Sequence, residues 1–320
     1  MQNTTDDYGH LKTRPQNFLK DGLIDFHQIN EKERTKFNKF LFTSECDLGV
    51  SLNGGRRGAK HGPKAIMHTL GKFQTYKDGF QVLCRSLLAA NDNDSLTAKQ
   101  SKQIKLIEET LKQTKWENIV HLGGGHDQIY PLLSALTNGL QKGPEEKQRL
   151  ICLNIDAHLD TRTDTQFHSG TPFRQWMDEI KQKHQHKLSS IHFYQFGIHQ
   201  QSNHPSNYQL DNMHVSEYSI QNIEQQVQDF LQKVKDLNLS ESDIIVLSLD
   251  CDVFDAAEFP AVSAPNGLGL HIKDFWTVLN VIKDIKCRKA FGIYEYNPLF
   301  DDLAVSCARK LAFQIEKFLK

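Results

Sequence analysis

Residues 149–160, RLICLNIDAHLD, decide the fold of this 320-residue chain. The first seven residues are mostly apolar, which is typical of a buried β-strand. Two aspartates and a histidine follow at once, at Asp156, His158 and Asp160. Burying like charges together is unfavourable unless a positive group joins them. The segment therefore predicts a buried strand with a cation bound at its end.

Similar strand-like segments recur along the chain and alternate with segments that have the periodicity of helices. The other strand candidates are residues 116–122, 190–198, 243–250 and 289–296, and the helix candidates are residues 100–115, 127–141, 170–184, 220–237 and 272–285. This alternation predicts an α/β fold with three α/β/α layers and a mostly parallel central sheet. Ligands of such sheets bind beyond the carboxyl ends of the strands. The residues that directly follow each strand are therefore the candidates for function.

The N-terminal part of the chain differs from the rest. Residues 1–40 are predicted to form a polar lead and a helix, which starts in the segment INEKERTKFNKFLF at residues 29–42. The chain shows no internal repeat and no linker rich in proline or serine. We therefore expect residues 41–320 to form a single catalytic domain.

The composition limits the partners and the location of the protein. A net charge of -1 gives no reason to expect nucleic acid or an anionic membrane surface as a partner. No apolar run reaches membrane-spanning length, and the polar N-terminus shows no secretory signal. The six cysteines form no C-x-x-C pair, which favours reduced thiols over a disulfide framework. We therefore expect a cytoplasmic protein.

Six candidate metal ligands directly follow three of the predicted strands. Side chains two residues apart point to the same face of a strand, so Asp156 and His158 form one pair and Asp250 and Asp252 form another. Two divalent cations would balance four carboxylates, whereas one would leave an excess of negative charge. Such a ligand set suits manganese and could also hold iron, cobalt or nickel, with zinc less suited. The predicted ligands are His126, Asp156, His158, Asp160, Asp250 and Asp252.

Each of these motifs has a simpler interpretation when it is taken alone. A glycine-rich segment such as GGGHD, residues 123–127, usually forms a tight turn, and an Asp-x-Asp pair often caps a helix or turn. GGGHD also lacks the Lys-Ser/Thr pair of a phosphate-binding loop and the spacing of a dinucleotide-binding loop. The occurrence of all three motifs at successive strand ends favours the metal site.

Three further ionisable residues are candidates for chemistry beside that site. His168 could be a solvent-facing loop histidine or a proton carrier, since the ordinary pKa of histidine lies near neutrality. Arg162 could pair with Asp164 or bind a substrate carboxylate. Glu295 ends an apolar strand and could pair with a lysine or accept a hydrogen bond from a cationic nitrogen.

These motifs resemble those of the ureohydrolase (arginase/agmatinase) family of binuclear manganese enzymes. GGGHD, DAHLD and SLDCDVFD resemble the three metal motifs of that family in the expected order, and residues 54–66 and 294–301 resemble its glycine-rich loop and its last active-site strand. The resemblance covers about residues 45–315. It implies an arginase-like fold, a small-molecule amidine substrate, and a homo-oligomer whose subunits each bind two Mn²⁺ ions.

The resemblance also implies a role for each residue of the site. One manganese ion would be bound by His126 and Asp160 and the other by His158 and Asp252, with Asp156 and Asp250 bridging the two. Asp160 would also orient the attacking hydroxide, His168 would deliver a proton to the departing nitrogen, and Glu295 would hold the cationic end of the substrate.

Departures from the family pattern resemble its formimidoylglutamase branch. Arginases carry asparagine where this chain has Arg162, and acidic residues where it has HQQSNHPSN at residues 199–207; residues 255–270 also differ. That branch acts in histidine degradation and converts N-formimino-L-glutamate to glutamate and formamide. Its substrate has two carboxylates, which Arg162, with Ser202 and Asn203 as weaker candidates, would bind.

Two other functions remain open at this point. The first is another amidino hydrolase, namely an arginase, an agmatinase or a guanidino-acid hydrolase. The second is a metal-binding family member without catalytic activity, although all six ligands are present in this chain. A deacetylase of related fold is a weaker alternative, because a one-metal site does not require six ligands.

Overall fold

One sheet of parallel strands organises the described part of the chain. The structure is a computed structural model and describes residues 19–74, 80–89, 93–140 and 148–320. In these ranges the sheet has nine strands in the order β1-β3-β2-β4-β9-β8-β5-β6-β7, and every neighbouring pair is parallel. The strands are β1 (Leu23–Asp25), β2 (Lys39–Ser44), β3 (Val82–Leu88), β4 (Asn118–Gly123), β5 (Leu150–Ile155), β6 (Ile191–Ile198), β7 (Met213–Glu217), β8 (Ile244–Asp250) and β9 (Arg288–Tyr294).

Helices cover both faces of this sheet. The helices are α1 (Glu31–Arg34), α2 (Leu48–Leu52), α3 (Gly62–Gly71), α4 (Leu96–Lys112), α5 (Ile129–Gly139), α6 (Pro172–Lys183), α7 (Ile223–Asp236), α8 (Ile272–Asp284) and α9 (Ser306–Leu319). On one face α3, α7, α8 and α9 share a core with Ile151 and Leu153 of β5. On the other face α4, α5 and α6 pack with Leu150 and Cys152. Strand β5 is apolar because both of its faces are covered.

The structure confirms the predicted three-layer α/β/α fold, and the sheet is parallel throughout. The strands and helices predicted between residues 100 and 296 are present with ends shifted by a few residues. Among the described residues, no helix is both long enough and apolar enough to cross a bilayer.

The helix predicted in residues 29–42 is wrong for most of its length. Only Glu31–Arg34 is helical, and it starts with a capping box in which Asn30 and Glu33 exchange hydrogen bonds. The chain then enters β2, where Phe40 is fully buried. The tertiary context therefore overrides a weak helical pattern. The predicted domain boundary at residues 40 and 41 falls inside β2, and the polar lead before residue 19 lies outside the described residues.

The strand order places side by side four strands whose carboxyl ends are followed by candidate site residues. β4, β9, β8 and β5 are consecutive neighbours in the sheet. Because they are parallel, their carboxyl ends meet at one edge. This edge therefore receives the segments that follow each of these strands.

Candidate metal centre

All six predicted metal ligands lie at this edge, in two adjoining groups. Each group has ligand atoms within 4.8 Å of one another. His126 lies in the turn after β4, the residues from Asp156 onward follow β5, and Asp250 is the last residue of β8. The first group comprises His126, Asp156, Asp160 and Asp250, and the second comprises Asp156, His158 and Asp252.

The first group surrounds one nitrogen atom of His126. Its Nδ1 atom lies 3.0 Å from Asp156 Oδ2, 2.9 Å from Asp160 Oδ2 and 3.1 Å from Asp250 Oδ2. His126 is fully buried, and Asp156 and Asp250 are almost completely buried. Three carboxylates and one imidazole therefore converge on a small volume with little access to water.

The second group is more open and shares Asp156 with the first. His158 Nδ1 lies 3.0 Å from Asp252 Oδ2 and 3.7 Å from Asp156 Oδ1. Asp156 thus offers Oδ2 to one group and Oδ1 to the other, as its predicted bridging role requires. Asp250 contributes only to the first group, and its Oδ1 accepts a hydrogen bond from the Asp252 backbone at 2.9 Å. Bridging by Asp250 remains a prediction.

The donors fit a metal ion. His126 Nδ1 is buried and makes no hydrogen bond within the described part of the chain, although three carboxylate oxygens surround it. The other ring nitrogen, Nε2, lies 2.8 Å from Ser248 Oγ. If Nε2 carries the proton and donates it to Ser248, the lone pair of Nδ1 points into the cluster, as a metal-bound histidine requires.

Electrostatics lead to the same conclusion. Burial and the charges of Asp252 and Asp156 raise the pKa of Asp250 well above its ordinary value. Burial and Asp156 likewise raise the pKa of Asp160. Burial alone would lower the pKa of His126, but the three carboxylates around it outweigh burial and raise that pKa strongly. The cluster thus takes up positive charge, which either a proton or a metal ion can supply.

Local backbone geometry holds these ligands in place. Asp160 has a left-handed backbone with φ 50°. Asp156 Oδ1 accepts a hydrogen bond from the His158 backbone at 2.7 Å, and Asn154 Nδ2 donates to Asp156 Oδ2 at 3.1 Å. A Cβ atom on Gly124 would lie 2.0 Å from the Cys46 carbonyl oxygen, so the turn before His126 requires glycine there.

Glu295 is a further buried carboxylate beside the same region. It follows β9 with φ 62°, a left-handed conformation that is uncommon outside glycine. Its Oε1 accepts a hydrogen bond from the His126 backbone at 3.0 Å, whereas Oε2 is buried without a partner among the described residues. Burial raises the pKa of Glu295 to about 8, and the charge of Asp252 adds to this. A cationic N–H group would satisfy Oε2.

A cavity of about 390 Å³ is lined by four of the six candidate metal ligands. Arg162 lines it and donates from Nη1 to Asn53 Oδ1 at 2.8 Å. Asn53 in turn donates to Ser169 Oγ at 3.0 Å. Arg162 is therefore held at the cavity wall, where a substrate carboxylate can reach it. The lining residues are Val50, Asn53, Gly54, Gly55, Arg56, His158, Asp160, Arg162, Ser169, Asp250, Asp252, Ser263, Ala264 and Glu295.

His168 lies behind this wall rather than on it. It is buried, its Nε2 lies 2.7 Å from Asp164 Oδ2, and its Nδ1 accepts a hydrogen bond from the Gly170 backbone at 3.0 Å. Both ring nitrogens are thus engaged within the loop. The predicted role of His168 as a proton carrier requires its ring to leave these partners.

The positions of Ser202 and Asn203 do not support their predicted contact with substrate. Ser202 is exposed and does not line the cavity. Asn203 Oδ1 accepts from the Leu159 backbone at 2.8 Å, and its Nδ2 donates to the carbonyl oxygens of Ala157 and His199. Asn203 therefore supports the loop that carries candidate metal ligands. Contact of Ser202 or Asn203 with a substrate stays a prediction.

Four polar residues that line the cavity are not among the site residues predicted from the sequence. Asn53, Arg56, Ser169 and Ser263 all line it. The segment GGRRGAKHGPKAI at residues 54–66 indicated a loop there, but not which side chains face the cavity. Asn53 and Ser169 are 116 residues apart, so only the folded chain shows their hydrogen bond.

A larger cavity of about 720 Å³ lies elsewhere, between α4, α5 and the start of β9. Leu111, Trp116, Leu136 and Arg288 are among its lining residues. It contains none of the predicted site residues. We therefore assign the chemistry to the smaller cavity, where the buried carboxylates and imidazoles converge.

The fold and the site define a class: parallel α/β proteins that have, at the carboxyl edge of the sheet, a carboxylate–imidazole cluster that could hold a metal ion. Within that class, the chain belongs to the arginase family, whose family model matches residues 42–315.

Relatives within the family are similar over most of their length. A formimidoylglutamase of Photorhabdus laumondii is 31% identical over 288 residues, covering 86% of this chain and 84% of the relative. A formimidoylglutamase of Rhodococcus jostii is 30% identical, covering 82% and 79%.

Solved structures share the fold. The formimidoylglutamase of Bacillus subtilis superposes with a TM-score of 0.78 at 17% identity, covering 99% of this chain and 95% of that chain. The Trypanosoma cruzi formiminoglutamase with Mn²⁺ gives a TM-score of 0.73 at 20% identity, covering 95% and 97%.

Proposed function

We propose that the protein is a metal-dependent hydrolase that converts N-formimino-L-glutamate and water to L-glutamate and formamide. The observation that carries this proposal is a cavity lined by three kinds of group. These are four of the candidate metal ligands, the carboxylate of Glu295 and the Arg162 guanidinium that Asn53 holds in place. The formimidoylglutamases among its relatives support the choice of substrate.

We propose that two Mn²⁺ ions bind each subunit. His126 and Asp160 would hold one ion, His158 and Asp252 the other, and Asp156 and Asp250 would contact both. When bound, such a pair lowers the pKa of water and supplies hydroxide near neutral pH for attack on the amidine carbon. The two ligand groups, which share Asp156, and the Mn²⁺ in the Trypanosoma cruzi structure support a pair of ions, whereas contact of Asp250 with both ions rests on the family resemblance.

The side chains of the protein orient the substrate and move its proton. Glu295 accepts a hydrogen bond from the amidine nitrogen. This hydrogen bond stabilises the ionised form of Glu295, and the ionised carboxylate in turn stabilises the positive charge on the amidine. Arg162 binds a carboxylate at the other end and so fixes the reacting carbon. Asp160 orients the attacking hydroxide. His168 delivers a proton to the departing nitrogen after leaving Asp164 and Gly170.

A substrate panel with metal analysis of the same sample tests this function. Protein loaded with manganese should release formamide from N-formimino-L-glutamate faster than it releases urea from arginine or agmatine. The bound manganese should approach two ions per chain. Preference for a guanidino substrate would replace this proposal with another amidino hydrolase, and the absence of turnover on every amidine would support a non-catalytic family member.

Assembly into a homo-oligomer and a cytoplasmic location are also proposals. The first rests on the family resemblance and the second on the free cysteines of the described residues. Size-exclusion chromatography with light scattering and cell fractionation test them directly.

A further inference from the structure

We propose that Arg56 binds one of the two carboxylates of the substrate and that Arg162 binds the other. This inference rests on the proposed function, because it assigns the second anionic group of the same substrate. It makes Arg56 a specificity-determining residue for dicarboxylate amidines.

Arg56 is held in a fixed orientation at the cavity. Its backbone N–H donates to Ser263 Oγ at 2.7 Å, and its Nε donates to the Ser263 carbonyl oxygen at 2.9 Å. Its Nη2 donates to the Val262 carbonyl oxygen at 2.9 Å, and its guanidinium carbon lies 4.1 Å from the centroid of the Phe300 ring. A side chain already fixed in this way loses little conformational entropy when a ligand binds.

The same guanidinium keeps donors for a ligand. A guanidinium has five N–H donors in a planar fork. The two side-chain hydrogen bonds of Arg56 use Nε and Nη2, and Nη1 makes none with the part of the chain that the structure describes. No carboxylate in those ranges forms an ion pair with Arg56, although the residue is exposed at the cavity. A carboxylate is the group that this geometry best accommodates.

The cavity is lined by side chains of both charges. The carboxylates of Asp160, Asp250, Asp252 and Glu295 line it together with the guanidinium groups at positions 56 and 162. A matching ligand is cationic at one end and carries two carboxylates elsewhere. A substrate with one carboxylate and an ammonium group would leave one guanidinium unpaired beside that ammonium. The volume of about 390 Å³ suits a small molecule of this kind.

Arg57 provides a matched control in the same loop. Its guanidinium donates to Ser51 Oγ from Nε at 2.9 Å and from Nη2 at 2.7 Å. It lines a different cavity, with Glu45, Asp47 and Lys60. Replacing Arg57 therefore removes the same charge from the same loop without removing a donor from the candidate active site.

The experiment measures the binding of three ligands to the manganese-loaded protein by calorimetry. L-Glutamate has both carboxylates, L-glutamine lacks the γ-carboxylate, and L-isoglutamine lacks the α-carboxylate. Arg56→Gln should reduce the preference for L-glutamate over one of the two amides roughly 10-fold, as expected for loss of a charge-assisted hydrogen bond. Arg162→Gln should reduce the preference over the other amide, and Arg57→Gln should change neither by more than about twofold.

The preference is the ratio of the Kd values of an amide and of L-glutamate for the same variant. A smaller folded fraction affects both Kd values equally and therefore leaves this ratio unchanged. Arg56→Lys keeps the charge but not the planar fork, and should recover part of the preference. The proposal is overturned if the wild type does not bind L-glutamate, or if Arg56→Gln leaves both preferences unchanged. Turnover of N-formimino-L-glutamate by the wild type tests the proposed function separately. In that assay Arg56→Gln should raise KM with kcat little changed.

Discussion

Asp156 shows how much one residue of the site follows from sequence. Its place directly after an apolar strand predicts a buried carboxylate, and its two oxygens do lie in different ligand groups. Asn154, which orients Asp156, stands out in the sequence because it is polar within an otherwise apolar strand. Asn154 donates to Asp156 Oδ2 and to Gln195 Oε1. A polar amide residue two positions before a buried carboxylate, in an apolar strand, therefore indicates a residue that orients that carboxylate.

Other residue-scale features could not be predicted from the sequence. Arg162 was identified as a carboxylate-binding candidate, but its partner Asn53 lies 109 residues away in the chain. Arg56 and Ser263 are separated by 207 residues. Such contacts depend on how loops from different strands meet, which no local pattern encodes.

His121 should make folding stability depend on pH in a measurable way. It is fully buried between Tyr294 OH at 3.0 Å and Ser44 Oγ at 2.9 Å, and burial lowers its pKa to about 3. The unfolded histidine binds a proton near its ordinary pKa of 6.5, so between that pH and about 3 the unfolded state holds more protons. Stability from this residue is therefore lost as the pH falls below about 6.5, by up to about 1.4 kcal/mol per pH unit.

Urea unfolding in the presence of a chelator tests this prediction for wild type and His121→Gln. Between pH 6.5 and pH 5.0 the wild type should lose roughly 1.5 to 2 kcal/mol more than the variant. The comparison between proteins removes the contributions of carboxylates common to both. Equal losses in the two proteins would show that His121 does not resist protonation in the folded state.

Strand β8 combines a ligand and its support on one face. Ser248 and Asp250 are two residues apart, so both side chains point toward the cluster. Ser248 contacts His126 Nε2, and Asp250 Oδ2 lies beside Nδ1 of the same ring. Because alternate residues of a strand share a face, one strand supplies a neighbour to each ring nitrogen of His126. Alternating polar residues at the end of a strand therefore indicate a site.

Removal of the Ser248 hydroxyl should weaken metal binding more than it weakens folding. Ser248→Ala deprives His126 of the partner that orients its ring, and loss of such a partner typically lowers metal affinity about 10- to 100-fold. Titration with Mn²⁺ should show this loss, while the free energy of unfolding in a chelator should fall by only about 1 kcal/mol. Ser134→Ala is the control, because this buried hydroxyl bonds Glu179 instead. Equal manganese affinity in the two variants would contradict the role of Ser248.

Element types were predictable where strands and helices are long and regularly patterned. The N-terminal part is harder to predict, because only four residues lie between the end of a short capped helix and β2, and the aromatic residues of β2 fit either pattern. Strand β1 has only three residues and takes its conformation from pairing with β3. Tertiary pairing rather than local preference decides such segments.

At the scale of the whole molecule, a net charge of -1 conceals a strong local imbalance. Parallel strands bring the acids of the candidate metal site, of which Asp156 and Asp252 are 96 residues apart, to one edge of the sheet. The sequence predicts which residues gather there, because every such strand delivers its end to the same edge. It does not determine the metal, since several divalent ions accept the same ligands.

Folding should therefore be coupled to manganese, and more strongly at higher pH. A ligand that binds only the folded state stabilises it by about 2.7 kcal/mol per site at a free concentration of 100 times Kd. Metal binding requires deprotonated ligands, and the cluster raises the pKa values of His126, Asp160 and Asp250. Adding Mn²⁺ to chelated protein should raise Tm more at pH 8 than at pH 6. Asp156→Asn, which lacks the shared carboxylate, should lose most of this shift at both pH values. A shift of the same size in that variant, or one larger at pH 6, would show that manganese stabilises the protein elsewhere than at this cluster.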